Sequence, residues 1–339
     1  MTGTRELSRW RELCAASALP PLRRELSAAR ASTPHEAQGP NELSPDALSP
    51  DALSPGFAAE AAVLLLGGGG GAELDGGLVR GLRRLAHWGA GVRQGLGPPA
   101  LRDPSGEARD VYLPLTLHLH LAAYAHRFER LSPAAWAACD DALPDALALT
   151  DAAQACADYA PAPPLRTLTL WRALCIAQWA VLSRRDVDLE LADAIVQPIV
   201  LDPGPEGSLH PRFPYDAVGP GSREASLDVW TYRELSGLHA LASLALLRRN
   251  RAWARRVEEV AQHHARLTQP DYTTSQPWGL FAFVWSAGTS HFAEQQLHDA
   301  TSYGSAQGPA GEVGLVAGLL LADAAHCLGQ FASGAAGRP

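Results

Sequence analysis

The chain contains no lysine; all 28 of its basic residues are arginine. A Schiff-base lysine, a P-loop lysine and a Ser–Lys dyad are therefore impossible, which excludes lysine-aldimine pyridoxal-phosphate catalysis and P-loop nucleotide hydrolysis in their usual forms. Cysteine is sparse. Cys14, Cys139, Cys156, Cys175 and Cys327 are widely spaced, odd in number and without a CxxC pair. They read as buried reduced thiols, since no histidine or basic residue accompanies any of them in a pattern that marks a catalytic thiolate. Long apolar runs are missing too: Val313–Leu321 ends just short of Asp323 and is too short to span a bilayer. The charged opening, Thr2 to Leu7, lacks the apolar core of a signal peptide. A cytoplasmic protein with no membrane partner is the expectation. Nor is there an excess of positive charge. The net charge is −8, which argues against a nucleic-acid partner, and the clusters Arg80/Arg83/Arg84 and Arg248/Arg249/Arg251/Arg255/Arg256 read as solvated helix faces.

What is present is apolar and helical. At 47% hydrophobic residues the chain can build a real core, and convincing β alternation is scarce. Residues 1–32 form an N-terminal helical segment in which Leu7, Trp10, Leu13 and Cys14 share a face. Residues 33–56 hold a tandem repeat, Leu43-Ser44-Pro45-Asp46-Ala47 followed by Leu48-Ser49-Pro50-Asp51-Ala52 and Leu53-Ser54-Pro55. A proline every five residues blocks helix and sheet interiors, so this stretch is expected to be a disordered linker. Residues 57–332 are assigned to one all-α domain and 333–339 to a flexible tail. The glycine run Gly67–Gly71 has neither GxGxxG spacing nor a following GKS/T, and is read as a helix-to-helix turn. Helices are expected near 75–94, 111–130, 133–142, 145–158, 165–184, 187–199, 227–248, 251–267, 277–285, 290–302 and 312–332. Those at 227–248 and 251–267 meet at Asn250 as an antiparallel αα-hairpin. The fold class is all-α, built of antiparallel helical hairpins. The alternation of Ala/Leu-rich helices with aromatic and polar ones favours an α/α-toroid-like barrel, with an open helical solenoid as the alternative.

The chemistry concentrates between Asp228 and Asp299. Glu234 and Asp271 are the candidate acid/base carboxyl pair, with His239 and His264 as auxiliaries. Trp230, Tyr232, Tyr272, Gln276 and Trp278 are candidate substrate-binding residues, the aromatics serving as stacking walls. The competing account makes Asp228 an N-terminal helix charge, pairs Glu234 with an arginine such as Arg233 or Arg266, and gives Asp271 a turn to cap. His291, Glu294 and His298 fall on one helix face at i, i+3 and i+7 and offer a metal alternative. HExxH spacing is absent and the group spans two turns, so a polar helix face is preferred and no metal is assigned. His118 and His120 point about 200° apart on a helix and cannot chelate one ion. Asp140-Asp141-Ala-Leu-Pro-Asp145 superficially matches the aspartate-rich motif of class I terpene synthases, but Pro144 interrupts the helix such a motif requires.

The segment Asp228-Val-Trp-Thr-Tyr-Arg-Glu234-Leu-Ser-Gly-Leu-His239, then Trp253, then His263-His264 and Asp271-Tyr-Thr-Thr-Ser-Gln276-Pro-Trp278, resembles a hairpin of the α/α-toroid group. That group includes six-hairpin glycosidases, sugar epimerases, polysaccharide lyases and the terpenoid-cyclase/prenyltransferase branch. The resemblance implies a helical barrel with a central cavity and transfers no catalytic residue. The functional expectation is a carbohydrate-directed acid/base enzyme with a small-molecule or glycan ligand and no cofactor. A non-catalytic helical scaffold or binding module stands beside it, and a His/Glu metal-dependent enzyme behind both. No motif decides between the first two.

Overall fold

The computed structural model describes residues 3–32, 55–67, 166–183, 186–201, 227–267, 277–306 and 312–336. Every regular element among them is an α-helix: α1 (Thr4–Ser32), α2 (Pro55–Leu65), α3 (Arg166–Ser183), α4 (Asp186–Leu201), α5 (Leu227–Arg248), α6 (Arg251–Leu267), α7 (Leu280–Trp285), α8 (Ser290–Ala306) and α9 (Glu312–Ala336). None of these helices is long and apolar enough to cross a membrane. The helices expected between 75 and 158 lie outside the described residues, as do His118, His120 and the Asp140–Asp145 stretch. α2 begins at Pro55, two residues inside the expected linker; proline suits a first helical position because its missing N–H would have no partner there.

The chain divides into two compact units. One comprises Met1–Ala18, Leu165–Ala177 and Glu190–Pro339, and the other Leu19–Pro164 with Gln178–Leu189. In the second, α2 buries Ala59, Ala61, Ala62, Leu64 and Leu65 and ends at Gly67, whose φ of 84° is open to glycine without a Cβ penalty. All the candidate chemistry in the described residues belongs to the first unit. There the start of α1 buries Leu7, Trp10, Cys14 and Ala18. Leu13, placed on the same face by periodicity, is 38% exposed: its neighbour Cys14 takes the centre of the buried stripe and Leu13 falls at its edge.

The α5–α6 hairpin follows from its turn chemistry. Asn250 N–H donates to the carbonyl of Ala245 and Arg249 N–H to that of Leu246, the paired bonds of a Schellman closure. Arg249 occupies the left-handed position with φ 50°. Asn250 then caps the next helix, its Oδ1 accepting from the N–H groups of Ala252 (3.0 Å) and Trp253 (3.2 Å). α6 is amphipathic: Trp253, Val257, Val260, Ala261 and His264 are buried while Arg251, Arg255, Glu259, Gln262 and Arg266 are exposed. α5 has no such polarity. Every residue from Glu234 to Ala245 is buried, which makes it the central helix of this unit. Its far end is fixed by Arg248, whose Nε and Nη2 donate to the two carboxylate oxygens of Asp193 on α4 at 2.9 and 2.7 Å.

The short α7 packs against α5, α6, α8 and α9. It enters at Gly279, where a Cβ would lie 2.5 Å from Phe283 Cε2 and 3.0 Å from Leu235 Cδ2, so only glycine allows this approach to α5. The turn into α8 passes through Gly288 at φ 79° and is tied by Thr289, whose Oγ1 donates to the carbonyls of Phe283 and Ser286.

Candidate functional site

A helical stretch buried all round must satisfy whatever polar groups it carries, and the buried stretch of α5 from Glu234 to Ala245 carries four: Glu234, Ser236, His239 and Ser243. Ser236, His239 and Ser243 are spaced i, i+3 and i+7 and share one face. Each meets a partner from another helix. Trp171 Nε1 on α3 donates to Ser236 Oγ at 3.0 Å. His239 Nε2 lies 2.6 Å from Asp323 Oδ2 on α9, with both side chains fully buried. Ser243 Oγ lies 3.5 Å from Cys327 Sγ. His239 pairs with Asp323, and four residues further along each helix Ser243 meets Cys327. The two rungs advance together, so α5 and α9 run in the same direction along this seam.

The His239 ring is held on its faces as well. Trp171 stacks on it with centroids 5.7 Å apart and planes 18° from parallel. Trp278 and Phe281 meet it edge-on at 6.4 and 6.3 Å. Clamped between rings and hydrogen-bonded at Nε2, the imidazole has one orientation. An ionised carboxylate only accepts, so Nε2 is the nitrogen that donates to Asp323; when the ring is neutral, this leaves the lone pair on Nδ1. That Nδ1 is buried and has no hydrogen-bond partner among the described residues.

Glu234 sits about 140° around the helix from His239 and faces α6 instead. Its Oε2 lies 3.3 Å from His264 Nε2, both side chains fully buried. The two residues are equally far in sequence from Arg249 at the centre of the turn, so this pair is the cross-rung of the hairpin. His263 stands edge-on to His264 at 5.3 Å. Arg266, offered above as a partner for Glu234, is exposed and donates from Nε to the carbonyl of Gln262.

The two cysteines whose side chains are described are free and buried. Burial pushes the Cys14 thiol up to about 12. Cys327 is held well above its ordinary value by burial first and then by the nearby charge of Asp323, against a smaller opposing effect from the Ser243 hydrogen bond. A thiol kept protonated in this way is no nucleophile.

Of the residues singled out from sequence, Glu234, His239, His264 and Trp278 all lie in the buried core of this unit. Trp230 and Tyr232 are on the first turns of α5, with side chains outside the described residues, and Asp271, Tyr272 and Gln276 lie outside them altogether. His291, Glu294 and His298 are exposed on α8. No group of three or more His, Cys, Asp or Glu side chains that could hold a metal ion occurs among the described residues. Asp323 and Trp171 were not recognised from sequence as parts of the site. The signal for Asp323 was available: it is a lone carboxylate between Leu321-Ala322 and Ala324-Ala325, where a helix has no solvent face for it. The chain matches no protein-family model, no curated protein and no solved structure.

Proposed function

We propose that the protein is an acid/base enzyme acting on a hydroxylated, carbohydrate-like ligand, with the His239–Asp323 dyad as its proton-transfer centre. The observation that carries this reading is the Nδ1, unpartnered among the described residues, of a fully buried imidazole whose other nitrogen is fixed by a carboxylate 2.6 Å away. A carboxylate that sets the tautomer and orientation of a histidine, and stabilises the imidazolium once it forms, leaves the opposite nitrogen to take or return a proton. Leaving such a nitrogen buried without a partner costs about 1–3 kcal/mol, so a ligand O–H donating to it offsets a standing penalty. Trp278 and Phe281, edge-on to the imidazole, supply apolar surface against which the C–H face of a sugar ring packs once the helices open. The dyad is closed to solvent, so ligand entry requires the helices around it to open, and slow association is expected.

In this reading the acid/base partner of His239 is Asp323, and Glu234 with His264 forms a structural rung. A non-catalytic scaffold is the second reading. What favours it is the Glu234–His264 pair, two ionisable groups fully buried against each other across a hairpin, as a core satisfied internally would have. The hairpin arrangement we propose is the α/α-toroid. Same-direction neighbours such as α5 and α9, with the returning helix α6 between them in sequence, fit a ring with an inner and an outer layer.

The test is to incubate the protein with a panel of monosaccharides and aryl glycosides in D2O, following hydrolysis, epimerisation and deuterium uptake by mass spectrometry. Conversion of a panel member, lost in His239→Phe and Asp323→Asn, supports the proposal. No conversion, or conversion unchanged in His239→Phe, refutes it and favours the scaffold.

A further inference from the structure

We infer that Trp171 and Ser236 are positioning residues of the His239 centre, the indole setting the plane in which Nδ1 meets a ligand hydroxyl and the serine holding the indole in place. The inference rests on the acid/base reading of His239 given above.

The hydrogen bond to Asp323 fixes where Nε2 sits and leaves the tilt of the ring to be set. In an imidazole, Nε2 lies closer to the axis of the Cβ–Cγ bond than Nδ1 does. The ring can therefore swing about that bond while Nε2 moves little and its 2.6 Å contact with Asp323 Oδ2 survives. Nδ1 swings with the ring plane. An acid/base nitrogen has to aim its lone pair at the proton it takes, so this swing is the motion that must be stopped. Trp171 stops it: the two rings stack with centroids 5.7 Å apart and planes 18° from parallel. Trp278 meets both rings edge-on, 5.9 Å from Trp171 and 6.4 Å from His239, and bounds the stack on that side.

The indole is held in its turn by Ser236. A ring in a stack can slide or turn over its partner unless something else holds it. Trp171 Nε1 donates to Ser236 Oγ at 3.0 Å. Ser236 precedes His239 by three residues on one face of α5, a rise of about 4.5 Å, so the indole lies along one turn of the helix, tied at one end and stacked at the other. Both partners of the bond are buried. A phenylalanine at 171 and an alanine at 236 would fill a core without bringing in a donor and an acceptor that need each other. The pair adds direction rather than burial. When Nδ1 takes a proton from a ligand O–H, the electron pair of that bond stays on the ligand oxygen, Nε2 keeps its own proton, and the ring stays in plane for the proton's return.

The experiment records two-bond nitrogen–proton correlation spectra of the histidine-labelled full chain at neutral pH, and kcat and KM on the panel member that the unaltered protein converts. The variants are Ser236→Ala, Trp171→Phe, the two combined, and Ser236→Thr. The unaltered protein is expected to give His239 one sharp set of resonances. Ser236→Ala and Trp171→Phe are each expected to broaden or split that set and to lower kcat about five- to ten-fold with KM unchanged, the loss that follows from one hydrogen bond. The combined variant is expected to lose no more than the worse of the two singles, because both break the same tie. Ser236→Thr keeps the hydroxyl and is expected to restore the single set and the rate. A kcat or a His239 set left unchanged by Ser236→Ala and Trp171→Phe, whatever happens to the melting temperature, overturns this inference and leaves the reading of His239 standing. Additive losses in the combined variant, or a Ser236→Thr protein no better than Ser236→Ala, overturn it too. No conversion of any panel member by the unaltered protein overturns the acid/base reading, and this inference with it.

Discussion

Replacing Asp323 with alanine removes the acceptor of a 2.6 Å hydrogen bond between two fully buried side chains. The lost bond, made to a charged group, contributes about 1.5–3 kcal/mol. The larger effect is what remains: His239, whose Nδ1 has no partner among the described residues, now has Nε2 unsatisfied between the rings of Trp171, Trp278 and Phe281. Breaking a buried pair from one side costs about 3–5 kcal/mol in all. For a protein of this size that corresponds to a fall in melting temperature of about 4–7 °C. The companion variant is His239→Phe, which keeps an aromatic ring against Trp171. The double variant His239→Phe/Asp323→Ala leaves no imidazole to satisfy and is expected to be more stable than Asp323→Ala alone. Urea unfolding of the four proteins at neutral pH gives the cycle, with a coupling of about 2 kcal/mol or more expected. Additivity within about 0.5 kcal/mol, or a cost below about 1 kcal/mol for Asp323→Ala, would refute the claim that this pair organises the core.

Four further outcomes test the framework around it. Arg249→Gly relieves a left-handed backbone at the α5–α6 turn and is expected to stabilise by about 0.5–1 kcal/mol, read by urea unfolding. Asn250→Ala removes the acceptor that caps α6 and is expected to destabilise by about 1 kcal/mol in the same assay. Gly279→Ala sets a helix-propensity gain of at most about 1 kcal/mol against a Cβ 2.5 Å from a buried phenyl ring; overpacking at about 1–3 kcal/mol wins, and the melting temperature is expected to fall. The Cys14 thiol titrates near 9.0 in the unfolded chain and at about 12 when buried, so the unfolded state loses its proton first as pH rises. Its stability contribution is intact below pH 9 and declines between about 9 and 12 at up to about 1.4 kcal/mol per pH unit; Cys14→Ala is expected to flatten that part of the stability–pH curve.

Helix positions were the most legible part of this chain, because a 3.6-residue period and turn chemistry are local. The α5–α6 hairpin is where expectation and structure coincide best: Asn250 marks both the end of one helix and the cap of the next, and the observed bounds are Leu227–Arg248 and Arg251–Leu267. α7 is shorter than expected at its start, since Pro277, Trp278 and Gly279 form the turn before Leu280. The site was legible in composition but not in pairing. The residues gathered at Glu234, His239, His264 and Trp278 do share a core, yet the partner of His239 is Asp323, 84 positions away. No period or motif connects two helices that far apart. What sequence does carry is the anomaly at each end, a histidine and an aspartate inside Ala/Leu-rich helices with no solvent face. Two such anomalies, one a hydrogen-bond donor and the other an acceptor, are a reason to look for each other. Trp171 was hidden for a different reason: an aromatic in an apolar helix has an ordinary place in any core.

The most direct test of the central claim is a two-bond nitrogen–proton correlation spectrum of histidine-labelled protein, recorded at neutral pH with and without a sugar that raises the melting temperature. The account predicts that His239 carries its proton on Nε2, presents a bare lone pair at Nδ1, and that the sugar shifts the Nδ1 resonance as an O–H donates to it. A His239 protonated at Nδ1 with Nε2 bare, or an Nδ1 resonance unmoved by every sugar, would contradict the account and leave the pair as part of a sealed helical core.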